Sequence, residues 1–322
     1  MAGGRTQFAR GAGSATGGTG VRTIGVVLAA LLGDPSRLGQ PVGGEVLDEA
    51  RAILDHAAGS GAGSWSADEP LRLAKASVRG LLECPRRSLA DPDLLDSGDL
   101  TNIVLGQIVD AGAKLATLGP AVPPTVAAAC EYLVAIGDER VADHLLDVGA
   151  EAAEALLADA AARLDPLVAG WPATIDGQWW PRVEEPVRLR LAGGAVVVSG
   201  KLDILLGGPP TGLPGLVVEL KGGQWHDSVR QDGHLYALLV GLRDGVAPAA
   251  VLSIAAADGA TQLEPIRPEV VLHAAERVAT AIETAAAIAA GEPARACPGS
   301  YCAFCPLRPG CPEGTAAHEA AA

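Results

Sequence analysis

Apolar positions recur at helical spacing along residues 21–56, most regularly over 45–57, and again along 71–82, which leads into Cys84-Pro-Arg-Arg87. Residues 103–163 hold several Ala/Leu-rich helical segments, broken near Gly119-Pro120, Pro123-Pro124 and Gly137, where glycine and proline interrupt the periodicity. The texture changes at Trp171. Beyond it, alternating or β-branched runs predict strands over 183–191, 195–206 and 215–221. A helix is expected over 227–243, a strand over 249–255 and another over 261–266. A long helix then runs over 268–291, with Pro268 well placed at its start, and a Cys- and Pro-rich tail closes the chain.

Two low-complexity stretches divide this pattern. Residues 1–20, rich in Gly, Ala, Ser and Thr, read as a disordered tail, and Gly59-Ser-Gly-Ala-Gly-Ser64 reads as a flexible linker. The chain then parses into a tail (1–20), a helical segment with its linker (21–64), a helical region (65–170), an α/β core (171–291) and a cysteine-rich tail (292–322). There is no internal repeat.

Composition adds bounds to this picture. The chain has 322 residues, 49% apolar, which is enough for a well-buried core. Its formal net charge of −14 argues against gripping DNA through a broadly basic surface. Any nucleic-acid contact is expected to come from a local basic patch, a bound metal or a partner subunit. Arg86, Arg87, Arg188, Arg190 and Arg230 are candidates for such a patch, and Trp171, Trp179 and Trp180 are candidates for stacking on bases or for packing. The apolar run 24–32 is far too short to span a bilayer, so a cytoplasmic protein without membrane contact is expected.

The chemistry concentrates in Gly200-Lys-Leu-Asp203 and Val217-Val-Glu-Leu-Lys221. On a strand Glu219 and Lys221 project to one side. Residues 207–215, with three prolines and four glycines, read as a loop joining neighbouring strands, which brings Asp203 beside Glu219. Two carboxylates together suit a hard ion such as Mg²⁺ or Mn²⁺, and the nearby lysine can orient or activate a water for attack on phosphorus.

Six cysteines stand at 84, 130, 297, 302, 305 and 311. Cys302-x2-Cys305-x5-Cys311 is compact and needs a fourth ligand to hold zinc or an iron–sulfur cluster. Cys297 offers an all-local site and Cys84 a distant one. Cys130, on an Ala-rich helix, reads as a small buried apolar residue.

Gly200-Lys-Leu-Asp203 followed by Glu219-Leu-Lys221 resembles the RecB-type branch of the PD-(D/E)XK nucleases. The resemblance implies a restriction-endonuclease-like core, a central mixed sheet flanked by helices, with an N-terminal helical region and a cysteine-rich tail. It implies metal binding by Asp203, Glu219 and the carbonyl of Leu220, with Lys221 catalytic. It extends upstream to Glu184 or Glu185, and downstream to a helix carrying Gln231 and Tyr236. The family's Gln-x-x-x-Tyr spacing is not met, because Asp232 stands four residues before Tyr236. A family metal ligand, a His in Gly-x-x-x-His, is matched by Asp110 in Gly106-Gln-Ile-Val-Asp110. Cys84-Pro85 with the C-terminal trio resembles the iron–sulfur class of that branch, which includes the CRISPR adaptation nuclease. This implies a [4Fe–4S] cluster on Cys84, Cys302, Cys305 and Cys311. The function implied is Mg²⁺- or Mn²⁺-dependent cleavage of DNA, as a single-strand exonuclease or end-processing enzyme in repair or antiviral defence. Since no Gly-x4-Gly-Lys-Ser/Thr motif is present, a helicase or CRISPR/defence partner would be a separate chain. The alternative is a catalytically inactive DNA-binding or scaffold subunit.

Overall fold

Strands form where one face of the chain can be buried. In β2 (Arg182–Leu191) Val187, Leu189 and Leu191 are buried while Arg188 and Arg190 are exposed, an alternation of period two. It pairs antiparallel along nearly the whole of β3 (Val196–Gly208). A turn of 3₁₀ helix, Pro209–Thr211, and Gly212 at φ 71° reverse the chain into β4 (Leu213–Lys221). The joint that 207–215 was expected to form as a loop is therefore a short turn. The strands extend to Gly208 and resume at Leu213, because two prolines suited to a 3₁₀ start and a left-handed glycine close the reversal at once. β5 (Ala250–Ala255) pairs parallel to β4, and β6 (Ala260–Pro265) antiparallel to β5.

The computed structural model describes residues 24–321 except 62, 91–99, 120–123, 170, 173–177, 224, 226 and 258. The expected tail 1–20 and the break at Pro120 and Pro123 lie outside the described residues.

Residues 71–82, expected as one helix, contain a strand and a shorter helix. Leu71–Leu73 is β1, parallel to Val196–Val198 of β3, and α3 runs Lys75–Glu83. Leu73 is buried against the sheet, so tertiary pairing overrides a helical pattern too short to resist it. The addition makes the sheet six-stranded and mixed, in the order β1-β3-β4-β5-β6 with β2 on the other edge of β3. One edge of β3 is thus shared: Val196–Val198 face β1 and residues 204–208 face β4. Between them, around residues 199–203, two strands diverge and backbone groups need other partners.

Helices cover both faces. On one side α2 (Glu45–Ser60), α3, the 18-residue helix Asp227–Asp244 and the helix Pro268–Ala289 pack over Val187, Val196, Leu202, Val217 and Val251. On the other, α1 (Ile24–Gly33) packs with parts of Thr101–Thr117 and Ala150–Val168 over Ile204, Val218, Leu252 and Ile254. In chain order, α4 is Pro85–Ser88, α5 Thr101–Thr117, α6 Val126–Ala135, α7 Arg140–Asp147, α8 Ala150–Val168, α9 Asp227–Asp244 and α10 Pro268–Ala289. The tail also ends in a helix, α11 (Pro312–Ala321), directly after Cys311. Among the described residues no helix is long and apolar enough to cross a membrane.

A close backbone approach seats α5 on the end of β4. A Cβ on Gly222 would lie 2.1 Å from Gly106 Cα, whereas a Cβ on Gly106 would meet Gly222 no nearer than 3.5 Å. Gly222→Ala is therefore expected to push α5 away and cost about 1–3 kcal/mol, the usual range for overpacking. Gly106→Ala, which also replaces a helix-interior glycine by a better helix former, should be neutral or stabilising. Denaturant midpoints of the two variants check this asymmetry.

Candidate metal and thiol sites

The divergence of β1 and β4 from β3 is where the acidic residues collect. Continuing the β2–β3 register from Val183↔Ile204 puts Glu184 opposite Asp203, and continuing β3–β4 from Ile204↔Val218 puts Glu219 beside it. Asp203 Oδ2 accepts from the backbone N–H of Leu220 at 2.8 Å. The Lys201 carbonyl accepts from the Tyr236 hydroxyl at 2.8 Å. Side chains thus take over the pairing that the split sheet leaves unmade. Gly200 is required here for space, since a Cβ would fall 2.4 Å from the Tyr236 ring.

Three lysines interleave with the carboxylates. Lys221 Nζ lies 2.6 Å and Lys75 Nζ 2.8 Å from Glu219 Oε1, and Lys75 also sits 5.2 Å over the Tyr236 ring. Lys114, from α5, pairs with Asp110 and Glu184 and lies 3.4 Å from Asp203 Oδ1. Glu184 pairs in addition with Lys201. Glu219 is 0% exposed, and its Oε2, like Asp110 Oδ1, is buried without a hydrogen-bond partner. A buried carboxylate oxygen without a donor is costly, and an oxygen-liganded Mg²⁺ or Mn²⁺ fits that vacancy of partners. Among the described residues no three His, Cys, Asp or Glu side chains already form an ion cage; ammonium groups stand among the carboxylates instead.

Burial governs the acidity of these groups. Burial, reinforced by Asp203, pushes the Asp110 carboxyl up to about 7 against the pull of Lys114. Burial and then the Glu219 charge raise Asp203. For Lys75 and Lys114 burial acts downward, but the surrounding carboxylates outweigh it and lift both above the ordinary lysine value. Burial and Glu219 likewise raise Tyr236, whose hydroxyl stays protonated.

On α9, Gln231 and Asp232 part company. Gln231 Oε1 accepts from Arg277 of α10 at 2.8 Å. Asp232 Oδ2 instead lies 3.9 Å from each of Lys75, Arg79 and Lys221. Lys75, Arg79, Gln231, Asp232 and Arg277 line one cleft beside the Glu219 carboxylate. Sequence reasoning passed over Lys75, Arg79, Lys114 and Arg277. Lys114 carries a legible signal, because Asp110 and Lys114 are the only charges in the 17 residues of α5 and stand four apart. Of the expected arginine patch, Arg86 bonds Gly310 O and Arg87 stacks on Tyr301, away from this cleft.

The thiols gather elsewhere. Cys84, Cys297, Cys302, Cys305 and Cys311 line one cavity together with Arg86, Arg87, Tyr301 and Arg308. Cys84 Sγ accepts from Cys297 N at 3.5 Å, Cys302 Sγ from Gly299 N at 3.4 Å and Cys311 Sγ from Gly314 N at 3.4 Å. Those N–H donors suit sulfur carrying negative charge. Tyr301 donates to Glu83 O at 2.7 Å, and burial, with Cys84 and Cys302 nearby, raises its hydroxyl to about 12. The tail is thereby fastened to the α3–α4 junction. Cys130 lies apart, half-buried on α6, its thiol raised by burial.

A family model described as PD-(D/E)XK nuclease superfamily matches residues 72–312, most of the chain. A solved structure titled "Crystal structure of SSO0001" is similar over 81% of this chain and 94% of that one, at 14% identity and a TM-score of 0.32, a likeness that carries no argument. No curated protein matches.

Proposed function

The chain belongs to the PD-(D/E)XK nuclease superfamily, whose members are generally metal-dependent nucleases, and we propose that it is a Mg²⁺- or Mn²⁺-dependent deoxyribonuclease acting on single-stranded or free-ended DNA. The observation that carries this reading is the adjacent pair Asp203–Glu219, with Glu219 fully buried, Lys221 Nζ 2.6 Å from its Oε1 and its Oε2 without a hydrogen-bond partner. Asp203, Glu219, Asp110 and the Leu220 carbonyl would hold the ion. When bound, such an ion offsets negative charge developing on the phosphoryl group.

The chain's own residues do the rest. Lys221 Nζ orients the attacking water and the phosphate oxygen, Tyr236 fixes the Lys201 carbonyl, and Lys75 holds Glu219 in place. Lys75, Arg79 and Arg277 give a local positive cleft in a chain of net charge −14, as a phosphate backbone requires. Cys84, Cys302, Cys305 and Cys311 would carry a [4Fe–4S] cluster that holds the tail to the α3–α4 junction; the supporting facts are thiols lining one cavity with N–H donors at three sulfurs. The setting proposed is cytoplasmic, in repair or defence, with a helicase or CRISPR/defence protein as partner.

Cleavage of end-labelled single-stranded DNA by the full chain should require Mn²⁺ and stop with EDTA. Lys221→Ala should lower the rate by about 10²–10³-fold, the loss typical of removing one group that stabilises transition-state charge. Equal rates in wild type and variant contradict the assignment. A second reading, a non-catalytic DNA-binding or scaffold subunit, is favoured by the ammonium groups of Lys75 and Lys114 already seated on the carboxylates. It predicts DNA binding with no cleavage under any divalent ion.

A further inference from the structure

Lys114 has no part in the proposed reaction, yet it is the most enclosed cation of the site, 3% exposed on a helix whose only other charge is Asp110. Its Nζ faces three carboxylates, Asp110, Glu184 and Asp203. Two of the three N–H donors of its ammonium go to Asp110 and Glu184, and Asp203 Oδ1 stands 3.4 Å away as a third ion-pair partner. Lys114 is therefore a fixed charge and not a proton carrier.

The arrangement around it is built. Glu184 holds a left-handed backbone at φ 54°, a conformation that a non-glycine residue keeps only where its surroundings impose it, and its side chain reaches Lys114. Asp110 meets Lys114 through Oδ2 and leaves Oδ1 free. Asp203 turns Oδ1 towards Lys114 while Oδ2 accepts from Leu220 N, beside Glu219. Asp203 thus has one oxygen on each side, the disposition of a carboxylate that bridges two cations. In paired-ion centres two divalent ions lie about 3.5–4 Å apart and share such a bridge. Here one of the two places is filled by an ammonium of this chain.

We propose that Lys114 stands in for a second divalent ion and limits the centre to one, acting as a positioning residue for Asp110, Glu184 and Asp203. This rests on the reading of Asp203 and Glu219 as metal ligands. Of the oxygens without a hydrogen bond, Glu219 Oε2 and Asp110 Oδ1 belong to the single ion, and Glu184 Oε2 is ion-paired with Lys201; the Asp110 and Glu184 oxygens bonded to Lys114 are occupied by it.

Mn²⁺ titration of the full chain, followed by calorimetry and by electron paramagnetic resonance, tests it. Wild type should bind one equivalent and give the spectrum of an isolated Mn²⁺. Lys114→Met, of similar shape but uncharged, should bind two and show spin coupling between neighbouring ions. If three freed carboxylates prevent that variant from folding, Lys114→Met combined with Glu184→Gln removes one charge and should still bind two. One equivalent in both wild type and folded variant, or two in wild type, overturns the inference while leaving the metal centre intact. A wild type that binds no Mn²⁺ overturns the ligand assignment with it.

Discussion

Asp203→Asn is expected to abolish metal-dependent cleavage, with a loss of at least about 10³-fold, while the protein stays folded. The asparagine side chain keeps an oxygen able to accept from Leu220 N–H, so the β3–β4 join survives. What disappears is a negative charge that faces both Lys114 and Glu219. A divalent ion held by oxygen ligands depends on that charge, and a single electrostatic contributor to phosphoryl chemistry is commonly worth about 10²–10³-fold by itself. Loss of the ion adds to this. A rate for Asp203→Asn within a factor of a few of wild type means the catalytic carboxylate lies elsewhere.

The second large effect concerns the thiols. Cys302→Ser is expected to give a colourless protein with a markedly lower melting temperature, when both are purified anaerobically. Cys302 is buried and one of the thiols on the cavity that joins the tail to Cys84. A cross-link between positions 84 and 302 closes a loop of over two hundred residues, worth about 5 kcal/mol on a loop-closure scale, comparable to the whole stability of a domain. Cys297→Ala should keep the brown colour if Cys84 is the fourth ligand, and Cys130→Ala should change neither property. A colourless wild type containing zinc contradicts the cluster.

How the site is assembled explains which parts of it the sequence displays. The strands β2, β3 and β4 are readable because alternation and a Gly/Pro turn act over neighbouring residues, and Asp203 on β3 and Glu219 and Lys221 on β4 sit there in fixed register. β1 is not readable: Leu71, Arg72 and Leu73 fit a helical turn as well as a strand, and only Val196–Val198 across the sheet decide. The restriction-endonuclease-like sheet was legible for the same reason that its first strand was not. Lys75 and Lys114 were missed because a lysine on a helix normally faces water. The burial of Lys114 and the carboxylate contacts of half-buried Lys75 follow from the split edge of β3, a long-range feature with no local signature. The α9 register was ambiguous in sequence, and side-chain placement separates the two residues: Asp232 reaches Lys75 and Lys221, and Gln231 reaches Arg277.

Mn²⁺ binding by the full chain, measured by titration calorimetry on wild type beside Asp203→Asn and Glu219→Gln, tests most directly whether these carboxylates form the metal centre. The account predicts saturable binding of one ion in wild type and its loss in both variants; equal binding in all three proteins contradicts it.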